Sequence, residues 1–139
     1  MAKSAISTPT ITELPALKQG MSLVPALIDG HLVHIECPTA WCVLDHIAEN
    51  EKHPADVHHY GERRTLTLPV PMLAPITVFL AQWPNAIDED AGLPYLAVDT
   101  DNDVNSYQRT AALALADQLV AFSADVRGLA RTLPDEVQA

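Results

Sequence analysis

The sequence predicts an α+β fold: a small antiparallel sheet of three to four strands, a Cys/His knuckle, and one long C-terminal helix. Three observations carry that expectation. Short β-branched and aromatic segments occupy the middle of the chain. Apolar residues recur at spacings of four and three near its end. All six histidines and both cysteines fall within residues 31–59.

At 139 residues the chain suits one domain. Residues 1–20, rich in Ser, Thr and Pro, read as a flexible tail, and residues 21–139 as the domain. No apolar run approaches the ~18 residues of a membrane span. The start, Met1-Ala2-Lys3-Ser4-Ala5-Ile6, lacks the apolar core of a secretory signal, so the expected location is the cytoplasm. There, two cysteines are read as thiols or metal ligands rather than a disulfide. A net charge of −10, with only eight Lys and Arg, argues against nucleic acid and anionic membranes as partners. A basic protein partner is electrostatically easier.

Residues 21–29 are apolar but contain Pro25, which predicts a loosely docked segment. Asp29-Gly30 is a turn signal. His31-Leu32-Val33-His34-Ile35-Glu36 is short and β-compatible, and leads into Cys37. Residues 37–61 hold the Cys/His cluster and few large apolar side chains, with a short helix expected within 40–50. Such a polar segment inside a small domain needs something to organise it, and a metal would do so.

Residues 63–70 alternate polar and apolar, the mark of a half-buried strand. Residues 75–83 form the next strand and 94–99 another, separated by an acidic loop over 85–92. A helix is expected from Asn105 to about Leu133. Asn105 or Ser106 is its candidate cap, and Gln108 completes a capping box. Leu115, Leu119, Phe122, Val126, Leu129 and Leu133 share one face, which is expected to cover the sheet. If that stripe is wider than the sheet needs, it pairs two subunits instead.

Thiolate and imidazole are the ligands Zn²⁺ prefers. Cys37, Cys42, His46 and one of His58 or His59 would supply a tetrahedral site. Cys37 and Cys42 make a chelating knuckle stiffened by Pro38. His46 lies four residues after Cys42, so one helical turn can aim both at the same ion. His58 and His59 point opposite ways if extended, so one of them binds; His59 is the preferred ligand and His58 its substitute. Four protein ligands make a closed, structural site. His31, His34 and His53 are read as bystanders.

These same residues resemble a family of small proteins from actinobacteria and their phages, a domain of unknown function. Its pattern is C-P-x-W-C, a nearby His, then H-x-G and an E-R-T-type strand. The matching residues here are Cys37-Pro38-Thr39-Ala40-Trp41-Cys42, His46, His59-Tyr60-Gly61 and Glu62-Arg63-Arg64-Thr65. The chain has one extra residue between Pro38 and Trp41. The resemblance covers roughly residues 35–131 and implies no particular activity.

Other motifs are weaker. Asp45-His46-Ile47 looks like the centre of an HNH nuclease, with His46 as general base and His58 or His59 as a further ligand. The later residues of that motif are found only if Asn50 and His58 or His59 stand in at poor spacing. Asp99, Asp101 and Asp103 alternate like the start of an EF-hand loop, but Val104 replaces its glycine and Thr110 its glutamate, so an acidic turn whose charges favour the following helix's N-terminus is the preferred reading. Together with Asp88-Glu89-Asp90 they form the densest acidic parts. Those parts could mimic DNA or cover a basic host protein, but a merely soluble face is the simpler reading. Trp41, Trp83 and Tyr95 read as core aromatics. The expectation is a zinc-stabilised protein-binding or regulatory module without catalytic activity. The alternative is a metal-dependent nuclease or hydrolase using His46 and His58 or His59.

Overall fold

The computed structural model describes residues 16–85 and 92–135. The chain first makes a hairpin of β1 (Ser22–Ile28) and β2 (His31–Cys37). Its two-residue loop, Asp29-Gly30, has φ of 48° and 75°, the doubly left-handed geometry that matches strand twist. The expected loose docking of 21–29 is corrected here: that segment is a full strand. Ile28 and His31 close the hairpin, so hydrogen-bonded and non-bonded pairs alternate away from them. Pro25, opposite His34, falls in a non-bonded pair. Its nitrogen faces away from β2, and no ladder bond is lost.

The hairpin tip is pinned to the next element. Helix α1 (His46–Glu49) is a single turn. After it, Asn50 turns left-handed (φ 43°) and its Oδ1 accepts from the Gly30 amide at 3.0 Å. The Asp29 amide donates to the Glu51 carbonyl at 2.7 Å. A 3-10 turn, Pro54–Asp56, follows.

The second sheet is antiparallel and has five strands: β3 (His59–Tyr60), β4 (Arg64–Leu66), β5 (Ile76–Gln82), β6 (Tyr95–Asp99) and β7 (Val104–Tyr107). The order is β3-β5-β6-β7, with β4 on the same edge of β5 as β3. The strand count is therefore somewhat higher than three to four. The half-buried strand expected over 63–70 pairs only at Arg64–Leu66, ahead of Pro69 and Pro71. Phe79, Ala81 and Ala97 form the core, with Tyr60 and Tyr95 packed against it. The Arg63 guanidinium sits 4.2 Å from the centre of the Phe79 ring.

The C-terminal part differs in two respects. Asn105 and Ser106 do not cap a helix; they pair with Val98 and Ala97 of β6 as part of β7. The open edge of β6 offers a ladder of backbone partners that outcompetes one side-chain cap. The acidic residues before them build the connecting turn. Asp99 Oδ1 accepts from the Asp101 amide and Asp103 Oδ1 from the Val104 amide, so these residues form an acidic turn, though it leads into a strand rather than a helix. Helix α2 (Arg109–Ala130) starts after Gln108, which makes no side-chain cap.

The helix also does not cover the sheet. A single residue separates it from β7, so no loop exists to swing it across a face. Ala112 and Leu115 are half-buried, and every later residue of α2 is exposed. Among the described residues, no helix is long and apolar enough to cross a membrane. The expected tail falls mostly on residues 1–15 and the acidic loop on 86–91, both outside the described residues.

Candidate metal centre

Cys37 ends β2 with its side chain buried. The chain then reverses tightly: the Pro38 carbonyl accepts from the amides of Trp41 (3.0 Å) and Cys42 (2.9 Å). This turn returns Cys42 beside Cys37, close enough for a side-chain hydrogen bond. Cys42 then bridges to Gly61, and the Val43 amide donates to the Tyr60 carbonyl at 2.9 Å. Strand β3 is thus held between the knuckle and β5. A Cβ at Gly61 would lie 3.4 Å from both the Leu80 Cβ and the Trp41 carbonyl oxygen, so this layer is closely packed.

Asp45 caps α1, its Oδ1 accepting from the amides of Ile47 (3.0 Å) and Ala48 (3.3 Å). A cap of this kind is worth about 1 kcal/mol. It starts the helix at His46, whose Nε2 lies 3.7 Å from Cys42 Sγ. In β3 the side chains alternate. Tyr60 turns to the Phe79 ring, with centroids 5.4 Å apart. His59 turns the opposite way, beside His46, with ring centroids 5.0 Å apart.

One donor atom from each of Cys37, Cys42, His46 and His59 lies within 4.8 Å of all the others. Ligand bonds of ~2.0–2.3 Å in a tetrahedron place donors about 3.3–3.8 Å apart, and the Cys42 Sγ–His46 Nε2 separation falls in that range. His59 is 1% exposed, yet neither ring nitrogen has a hydrogen-bond partner. An unsatisfied buried polar group costs ~1–3 kcal/mol, so such a ring calls for a ligand. The four residues can hold a metal ion, and their donor set fits zinc.

The local electrostatics agree with that use. Burial pushes the His59 pKa down to about 4, helped by the neighbouring His46 and His58. His46 is lowered too, first by burial and then by His58. Both imidazoles therefore keep free lone pairs at neutral pH. Burial pushes the Cys37 thiol up to about 12, reinforced by its hydrogen bond to Cys42 and by Cys42's charge. A cation in the cluster would reverse that preference.

The His59 shift has a testable consequence. A depressed histidine pKa leaves the unfolded chain binding more protons than the folded one between about pH 6.5 and 4. Stability therefore falls as the solution is acidified through that window. A urea midpoint that drops across this range is the expected result. A flat midpoint would show that His59 titrates normally in the fold.

His58 faces elsewhere. Its Nδ1 lies 2.9 Å from Glu51 Oε1, and its ring stacks on Trp83 with centroids 4.8 Å apart. It groups with Glu49 and Glu51 rather than with the cysteines. His31, His34 and His53 are exposed and outside both groups. Sequence reasoning missed Glu51 as the partner of His58. It also assigned Asp45 only to a nuclease motif. The signal for its capping role was present: an Asp immediately before a short helix.

Fold and site together define a small α+β protein organised around a Cys₂His₂ cluster at the junction of two sheets. The chain belongs to the family described as Domain of unknown function (DUF6907), whose model matches residues 21–135. No curated protein and no solved structure matches the chain.

Proposed function

We propose that this protein is a zinc-stabilised module that works through protein contacts, with a regulatory rather than catalytic role. The observation that carries this reading is the convergence of four donors around a buried, hydrogen-bond-free His59. Four protein ligands complete a tetrahedron and leave no position for a reactive water, which favours a structural ion. The strongly negative chain favours a basic protein as partner over nucleic acid. A cytoplasmic, actinobacterial or phage setting accords with the resemblance of the knuckle.

The nuclease or hydrolase reading needs three ligands, a bound water and a further histidine facing it. Two arrangements weigh against it. His58 turns towards Glu51, and the Asp45 carboxylate is engaged by backbone amides. The test is metal analysis of purified protein. One equivalent of zinc per chain is expected. Protein that is fully folded without metal would overturn the reading, and a site with three protein ligands plus water would transfer it to the hydrolase.

A further inference from the structure

We infer that the C-terminal helix is a self-pairing surface, and that its occupant is the α2 helix of a second copy of this chain. Ala112, Leu115, Leu119, Phe122, Val126 and Leu129 follow a strict three–four alternation, the a and d positions of three heptads, and α2 ends just after them at Ala130. A seven-residue repeat winds to fit another helix, not a flat sheet. Only Ala112 and Leu115 are half-buried against the body of the protein. From Leu119 to Leu129, the four stripe residues are 49–70% exposed.

The area suits a weak, reversible dimer. At ~150–200 Å² for a large apolar side chain, those four leave about 400 Å² open per chain. Two copies would bury about 800 Å² from the stripe alone, the low end of interface sizes, where association appears as concentration rises. The charge pattern also fits a like partner. Within an acidic chain this helix is neutral: Arg109 and Arg127 balance Asp117 and Asp125. The flanking e positions are Ala116, Ser123 and Ala130, small and uncharged. Different partners are selected by charges at e and g, and within α2 only Arg109 at its start and Asp125 carry one at those positions. Identical helices therefore meet with little repulsion. A two-fold interface needs only such a self-complementary patch.

The experiment is sedimentation equilibrium of the full-length, metal-loaded protein from micromolar to sub-millimolar concentration. A mass of twice 15.1 kDa is expected at the upper end. The double variant Leu119→Glu/Phe122→Glu should fall to 15.1 kDa while keeping its metal content and near-ultraviolet dichroism. Leu129→Glu, further from the body, is the second variant should the first misfold. A wild-type monomer throughout the range would overturn the inference. So would a trimer, or variants that remain dimeric. A monomer whose helix is protected from hydrogen exchange would assign the stripe to another segment of the same chain.

Discussion

Cys42→Ser is expected to lose its metal and most of its tertiary structure. The reason lies in proportion. A structural zinc contributes an apparent ~10–16 kcal/mol to folding in small domains. Whole domains are stable by only ~5–15 kcal/mol. The apolar core here is small, centred on Phe79, Ala81 and Ala97. The knuckle holds one edge of β3, through the Cys42–Gly61 bridge and the Val43–Tyr60 hydrogen bond. Without the ion, two thiols and two buried imidazoles would face one another uncompensated. Near-ultraviolet dichroism reports the loss through Trp41 and Trp83, and metal content is measured on the same sample. A Cys42→Ser protein with full zinc and an unchanged melting temperature would remove Cys42 from the site.

The second large effect separates two adjacent histidines. His59→Ala is expected to lower zinc affinity by more than the 10–100-fold typical of outer-shell changes, and to destabilise the fold by about 3–5 kcal/mol. His58→Ala should retain one equivalent of zinc. It gives up its polar contact with Glu51 and a stack on Trp83, together about 1–2 kcal/mol. Competition with a chromogenic chelator measures both affinities. Loss of zinc in His58→Ala with retention in His59→Ala would exchange their roles.

Much of the site was legible in the sequence because ligand chemistry restricts residue type. Clustering of Cys and His, together with a one-turn spacing from Cys42 to His46, singled out the residues that converge. Alternation in an extended strand also required His58 and His59 to face opposite ways. Their environments were not legible. Glu51 comes to His58 because the chain turns back at Asn50, whose left-handed backbone and side-chain bond to Gly30 are tertiary facts. Asp45 shows the converse case. Its residue type suits a helix cap and a nuclease motif equally, and only its bonds to Ile47 and Ala48 decide between them.

The fold divides in the same way. Strands β2, β5 and β6 were evident from β-branched and aromatic runs, and α2 from its apolar repeat, because these are local periodicities. Strand β1 was obscured by Pro25, whose cost depends on which side of the hairpin ladder its nitrogen faces. Strand β7 reads in sequence as a helix start, since Asn105 and Ser106 suit either role until the β6 edge is available to pair. The sequence by itself thus determined the class of fold, the donor set and the apolar face of the final helix. Tertiary structure alone decided which histidine joins the cysteines and where that helix points. Both depend on pairings between distant segments, and residue spacing along a chain does not encode those directly.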